Sequence, residues 1–181
     1  MNKVQVWSEQ PMGKGWRAQC HHQIDRHRFT TGEWFLNASL LAFSIEQDAD
    51  MLPDVLPNVL NIPLVSERMK QALEQFTPFS VQCLRVQLQT RSGWSNYYLI
   101  NILAVRRVEH LHKTNIFRPI GKKYVYFMTE RLVQDSLGVH HLLRDELTDR
   151  IFVSSQLARY LERLTVTGIQ FDEINRMEEL I

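Results

Sequence analysis

Two stretches of this chain match each other when one is slid over the other by 88 positions. The first is Val65 to Gln82 and the second is Val153 to Gln170. Val65 meets Val153, Ser66 meets Ser154, Met69 meets Leu157, Leu73 meets Leu161 and Glu74 meets Glu162. Phe76 then meets Leu164, Thr77 meets Thr165, Val81 meets Ile169 and Gln82 meets Gln170. Each copy reads as an apolar lead-in, a capped helix, a turn and a strand. Ser66 and Ser154 stand where an N-cap hydroxyl accepts from an unpaired backbone N–H, with Ser155 an alternative cap in the second copy. Met69, Ala72, Leu73 and Phe76 recur at helical spacing, as do Leu157, Tyr160, Leu161 and Leu164, so each helix carries one buried stripe. Thr77-Pro78 ends the first helix. Thr167-Gly168 ends the second, with Gly168 suited to a left-handed cap.

The remaining chain adds mostly strands. Lys3 to Trp7 alternates apolar and polar residues. Pro11 to Gly15 breaks it, and Gly13-x-Gly15 lacks the further features of a phosphate loop. Trp16 to Phe35 suggests one or two short strands and a loop. Leu40 to Ile45 is a strand or one helical turn. Asp48 to Pro63 holds acidic residues and three prolines, the pattern of a surface connector. Leu84, Val86 and Leu88 share one face of a strand. Ser92-Gly93 marks a hairpin, and the run from Trp94 to Val105 is apolar enough for a central strand covered on both faces. Arg107 to Lys113 suggests an edge strand. Two more strands flank the polar turn Gly121-Lys122-Lys123. Val139 to Leu143 and Arg150 to Val153 are short strands joined by an acidic turn. The fold class that follows is α+β, a mostly antiparallel sheet with two similar capped helices packed on it. With 181 residues the expectation is one domain. Residues 1–53 have no clear assignment, a core spans 54–175, and the helix-strand units lie at 65–88 and 153–174.

Nothing in the composition selects a chemistry. Net charge is +1, so no global field marks a nucleic-acid binder. The charge is uneven, however: Arg106 to Arg131 holds seven Lys/Arg against two Glu, and Leu132 to Ile181 five Arg against nine Asp/Glu. Cys20 and Cys83 are the only cysteines. Without a C-x-x-C pair they argue against a thiolate zinc site and for free thiols in a reducing compartment. The first residues lack the apolar core of a signal peptide, and no run is long enough for a membrane helix. The expected location is therefore the cytoplasm.

Histidines are the one chemical lure. His110 and His112 would share a strand face as two metal ligands, with no third ligand nominated. His21-His22 and His140-His141 are adjacent and point to opposite faces of a strand. No Gly-x-Ser-x-Gly elbow occurs. Aromatic and basic residues interleave at Phe117-Arg118 and Lys122-Lys123-Tyr124, a pattern open to nucleic-acid stacking, but aromatic residues at period two more commonly pack on a sheet. A metal-dependent enzyme and a nucleic-acid module are thus the rival readings. The favoured expectation is no catalytic residue, no metal and no cofactor.

Five segments in order resemble family eleven of the bacterial polymorphic-toxin immunity proteins, earlier catalogued as a domain of unknown function. They are Pro63-Leu64-Val65-Ser66-Glu67-Arg68 with the helix to Phe76, then Tyr97-Tyr98-Leu99-Ile100-Asn101-Ile102-Leu103. His140-His141-Leu142-Leu143-Arg144 and Ile151-Phe152-Val153-Ser154 follow, and last Leu157 to Phe171. The similarity spans roughly Asp54 to Ile174. It implies a non-enzymatic inhibitor in the cytoplasm that binds a cognate toxin domain made by the same or sister cells and occludes its active site or substrate path. Neither nucleic acid nor membrane is an expected partner. Expected exposure nominates the contact residues: Trp94 and Asn96 at the hairpin, Asp145, Glu146 and Asp149 in the acidic turn, and Arg28 and Trp34 in the unassigned first part.

Overall fold

A computed structural model describes residues 4–10, 12–13, 15–36, 40–107, 118–120, 123–128, 134, 137–174 and 177–180. The elements in order are β1 (Val4–Glu9), β2 (Gln19–Cys20), α1 (Arg26–Thr30), β3 (Leu41–Ser44), β4 (Val55–Leu56), β5 (Leu64–Ser66), α2 (Glu67–Phe76), β6 (Val81–Thr90) and β7 (Gly93–Ile102). After them come β8 (Val105–Arg106), β9 (Arg118–Ile120), β10 (Lys123–Met128), β11 (Leu142–Asp145), β12 (Ile151–Ser154), α3 (Ser155–Arg163), β13 (Ile169–Glu173) and β14 (Met177–Leu180). The class is α+β and the pairing mostly antiparallel, as the patterning predicts. The strands divide into a six-stranded sheet (β2-β3-β6-β7-β5-β4), a five-stranded sheet (β13-β1-β12-β11-β8) and a three-stranded one (β14-β10-β9). Only β3–β6 and β8–β11 run parallel among these pairs.

The two similar units fall one on each of the larger sheets. Ser66 Oγ accepts from the Met69 N–H (3.3 Å) and Ser154 Oγ from the Leu157 N–H (3.2 Å), so both caps are as expected. Met69, Ala72 and Leu73 on α2, and Leu157, Ala158 and Leu161 on α3, are buried. Both stripes enter one apolar cluster that also takes Val65, Val81 and Ile100 from the first sheet and Trp7, Leu142 and Val153 from the second. The helices meet edge to edge. Phe76 and Tyr160 rings lie 5.2 Å apart, and the Tyr160 hydroxyl donates to Gln75 Oε1 (2.9 Å). Leu84, Val86 and Leu88 face the other way, into a second cluster with Phe29, Phe43 and Leu56.

The correspondence of the units extends to strands that the sequence does not align. β7 lies between β5 and β6, pairing Leu99 with both Leu64 and Leu84. β1 lies between β12 and β13, pairing Val6 with both Phe152 and Asp172. Phe152 and Asp172 are 88 positions beyond Leu64 and Leu84, so the registers coincide. β4 flanks β5 as β11 flanks β12. The four-strand order β4-β5-β7-β6 thus recurs as β11-β12-β1-β13. The middle strand follows the first unit in the chain but precedes the second by more than a hundred residues. The unassigned first part therefore supplies a central strand.

Asp48 to Pro63 is not a surface connector. Its prolines stop a helix, yet Val55, Leu56 and Ile62 are fully buried and β4 pairs with β5. Asp54 is buried with them and joins the two units. Its Oδ1 accepts from the Ser66 hydroxyl (2.7 Å) and Arg68 Nε (3.1 Å), and its Oδ2 from Arg68 Nη2 and the Thr167 N–H (2.9 Å). Arg68 also donates to the carbonyls of Leu164 and Thr165 beyond α3. Gly168 is not the helix cap. α3 stops at Arg163, Thr165 takes the left-handed turn (φ +52°), and Gly168 (φ +81°) lies where the chain passes against the Val55 backbone. The hairpin turn is Arg91-Ser92, with Thr90 paired to Gly93.

The two caps differ in what else they hold, because only the Ser66 hydroxyl donates to a buried carboxylate. Ser154→Ala is expected to cost about 1 kcal/mol, and Ser66→Ala about 2 kcal/mol. Urea denaturation reads the difference. Equal costs would show that the Ser66–Asp54 bond contributes no more than the Ser154–His141 bond (2.9 Å) does in the second unit.

Candidate interaction face

One end of the six-stranded sheet is built from loops tied down by polar side chains. Asp25 caps α1 by accepting the His27 N–H (3.0 Å), and Phe29 is the helix's one buried side chain. This five-residue helix lies in a stretch where the sequence suggested strand and loop. It has no stripe for a periodicity argument to detect. The chain then turns at Gly32 (φ +69°), where a Cβ would stand 2.8 Å from Val105 Cγ2 and 3.0 Å from the Leu103 carbonyl. Beyond it, fully buried Asn101 on β7 donates to the Glu33 carbonyl (2.7 Å). The Gln82 side-chain amide accepts from the Phe35 N–H (2.9 Å) and donates to the Phe35 carbonyl (2.8 Å). Gln82 therefore holds Phe35 as a neighbouring strand would. Trp34 and Leu36 on either side are turned outward, and Leu36 is 87 % exposed.

Neighbouring loops continue this end. Pro78 stops α2 and leaves Phe79 88 % exposed. The Ser80 carbonyl accepts from the Leu103 N–H (2.9 Å), while Ser80 Oγ pairs with His140 Nδ1 (3.0 Å). That bond ties the loop that carries Val139, 90 % exposed, to the residue after Phe79. The turn after β11 joins through β8: the Glu146 N–H donates to the Arg106 carbonyl (3.1 Å), and Asp149 pairs with Arg26 of α1 (2.9 Å). These loops thus carry four exposed apolar side chains, Trp34, Leu36, Phe79 and Val139, and two ion pairs, Arg26–Asp149 and Arg28–Glu33. Arg28 lies 4.2 Å above the Phe35 ring and binds Glu33 (3.2 Å).

Of the residues nominated from sequence, Arg28, Trp34, Glu146 and Asp149 belong to this end. Asp145 does not present itself to a partner: it is fully buried, and its Oδ2 accepts from the Thr148 N–H (3.1 Å) and hydroxyl (2.7 Å). An acid in a turn reads as exposed, but this carboxylate folds back to close its own turn. Trp94 and Asn96 are exposed at the other end of β7. Eight residues of strand separate Trp94 from Ile102, roughly 27 Å at about 3.4 Å per residue, so the nominated set is not one site. Asn96 accepts from Arg85 Nη2 across the hairpin (3.0 Å). Leu36, Phe79 and Val139 were missed because a single apolar residue in a loop has no periodicity. The only local signal was Pro78, which forces a turn before Phe79 can join β6.

Among the described residues at this end, the histidines are engaged in local contacts. His140 binds Ser80, and His141 Nδ1 binds the Ser154 hydroxyl (2.9 Å) while Phe76 packs edge-on to its ring. These two histidines border a cavity of about 160 Å³ with Leu137 and Val4. His110 and His112 lie outside the described residues. Among the described residues, no three His, Cys, Asp or Glu side chains stand close enough to hold a metal ion. Cys20 and Cys83 are free thiols. Burial, then the nearby Glu74 carboxylate, pushes the Cys83 thiol up to about 12, so it stays protonated near neutral pH. No helix among the described residues is long and apolar enough to cross a membrane, which says nothing of a β-barrel.

A family model described as an immunity protein family (Imm11) matches residues 16–176. No curated protein matches the chain.

Proposed function

The chain belongs to the immunity protein family Imm11, whose members' name implies a toxin-neutralising role, and we propose that it fills that role by seating a toxin domain on the face around Trp34, Leu36, Phe79 and Val139. The observation that carries this reading is the exposure of these four apolar side chains on loops that hydrogen bonds from Gln82, Asn101 and Ser80 tie to one end of the sheet. Folding alone gives no reason to leave them in water, and apolar patches rimmed by polar residues mark protein partners. The bracing matters too. Gln82 and Asn101 hold the loop before any partner arrives, which lowers the ordering cost of association. Neutralisation then follows from occlusion: a stable interface covers about 800 Å² of each partner, enough to close an active site or the path to it. The protein performs no chemistry in this account. It acts in the cytoplasm of the producing cell against a toxin made by that cell or its sisters.

The test is co-expression with the toxin encoded beside it. Co-purification and survival of toxin-expressing cells are expected, and failure of both would remove the reading. Within the complex, Phe79→Asp should weaken binding about a hundredfold, as for a central anchor, with the thermal midpoint nearly unchanged because Phe79 packs on little. Trp94→Ala, at the far end of β7, should leave affinity within about threefold. A reversed ranking would move the interface to the hairpin.

A further inference from the structure

Behind the turn that carries Asp149 lies a guanidinium without a counter-ion of its own. Arg144 of β11 is 1 % exposed. Among the described residues its one side-chain hydrogen bond runs from Nη1 to the Asp149 carbonyl (3.3 Å). Nε and Nη2 are closed to solvent and have no partner among the described residues. Those two atoms share the edge of the guanidinium that presents parallel N–H bonds, the edge that fits a carboxylate. Burial pulls the Arg144 pKa down, but an arginine side chain stays charged in a protein. A buried, unpaired charge is among the costliest arrangements in a fold.

The charged groups that act on Arg144 are Asp149, favourably, and Arg26, unfavourably. Asp149 is already committed: its Oδ2 accepts from Arg26 Nη2 at 2.9 Å. One carboxylate therefore stands between two guanidiniums, one half-exposed on α1 and one buried in β11. Asp149 sits at φ +59° in the tight turn whose carbonyl Arg144 touches. Its side chain is short, so rotation about its own bonds moves the carboxylate from the outer guanidinium toward the inner one.

We propose that Arg26 is the seat for a carboxylate carried by the partner protein, and that the arriving acid displaces Asp149 inward onto Arg144. The proposal rests on the reading of this face as the toxin's seat, and it adds that the toxin presents an Asp or Glu beside the residues that pack on Phe79. The charge count favours an acid over a base, because two arginines share one acid here and a second acid completes the set. The exchange also couples surface to interior. Arg144 gains a counter-ion only when Arg26 is engaged, so the incoming acid draws part of its affinity from a group it never touches.

Side-chain guanidinium resonances of the full chain read this directly, with sodium acetate as the carboxylate probe and sodium chloride as the ionic-strength control. Acetate should shift the Arg144 N–H signals and slow their exchange with water at least tenfold. Arg26→Met should produce the same Arg144 signals with no acetate, because Asp149 is then free to turn. Asp149→Asn should abolish both responses. Arg144 signals that ignore acetate and are unchanged in Arg26→Met overturn the proposal, as do equal responses to acetate and chloride. With the toxin, Arg26→Met should lower affinity at least tenfold. Retained affinity in Arg26→Met alongside loss in Phe79→Asp leaves the face standing and removes the acid. A positive acetate response without any toxin complex removes the face as the toxin's seat and leaves an internal carboxylate exchange, which also overturns the partner part of the proposal.

Discussion

Gly168→Ala is expected to destabilise the fold by about 4 kcal/mol, in the range reserved for strain or overpacking at a closed site. A Cβ built at Gly168 would lie 2.1 Å from the Val55 carbonyl oxygen and 2.9 Å from Pro53 Cβ. The first is backbone and cannot swing aside. Relief requires β4 to move, yet the Val55 N–H donates to the Thr167 carbonyl (3.0 Å) and β4 is paired with β5. The φ of +81° adds its own cost for a residue with a side chain. At a urea slope of about 2 kcal/mol/M, the midpoint should fall by about 2 M. Gly93→Ala is the matched control. Gly93 also has positive φ (+140°), but a Cβ there meets nothing within 4 Å, so only the backbone cost remains, about 1 kcal/mol. Similar losses in the two variants would show that the approach of Gly168 to β4 is not tight.

Asp54→Asn should cost about 3 kcal/mol, the scale for breaking one side of a buried ionic and hydrogen-bonded cluster. An amide keeps the shape but turns one acceptor into a donor, facing either Arg68 Nε and the Ser66 hydroxyl or Arg68 Nη2 and the Thr167 N–H. One unit loses its tie to the other in either orientation. Arg68 is half-exposed, so the ionic share of this loss is screened by salt, whereas the Ser66 and Thr167 bonds are not. Acid tests the same cluster. Burial opposes ionisation of Asp54, but the hydrogen bonds from Arg68, Ser66 and Thr167 together outweigh it and hold its carboxyl below the usual 3.8. A carboxyl depressed in the folded state contributes fully above its unfolded pKa and loses that contribution as pH falls through the folded value. The stability gap between wild type and Asp54→Asn should therefore hold from pH 7 down to about pH 5 and narrow below about pH 4. A gap constant to pH 2 would rule out an ionised Asp54 as its source.

The helices were legible because their signals are local. A capping serine and a stripe at helical spacing lie within a dozen residues of one another in both units, with a terminating proline in the first, and packing agreed with them. Asp54 was misread for the opposite reason. Three prolines and acidic neighbours look like surface, and the groups that make burial of this acid possible lie 14 and 113 residues away. α1 was too short to have a period. Asp145 shows that turn composition does not fix exposure, since a carboxylate can serve its own turn. At the candidate face, Arg28 and Trp34 were legible as a charged and an aromatic residue in a loop. Leu36, Phe79 and Val139 were not, because only tertiary structure separates an apolar residue left out of the core from one packed in it. The Tyr-Tyr-Leu-x-Asn run was one of five segments that together resembled a family, but the task of Asn101 emerged only when its amide was found holding the Glu33 carbonyl before Trp34.

The position of β1 has a consequence for how the molecule comes into being. The β4-β5-β7-β6 part of the first sheet can assemble from neighbours, since β4 to β7 span fewer than fifty residues. The second cannot close until β12 and β13 exist, about 150 residues after the strand that fits between them. At a ribosome adding roughly 5–20 residues per second, β1 waits on the order of ten seconds with Val4, Val6 and Trp7 uncovered. Pairing over such a separation is also the slow step of a refolding chain. The five-stranded sheet is thus completed by a strand made about 150 residues before its neighbours, and its maturation depends on that strand staying unpaired until its place is made.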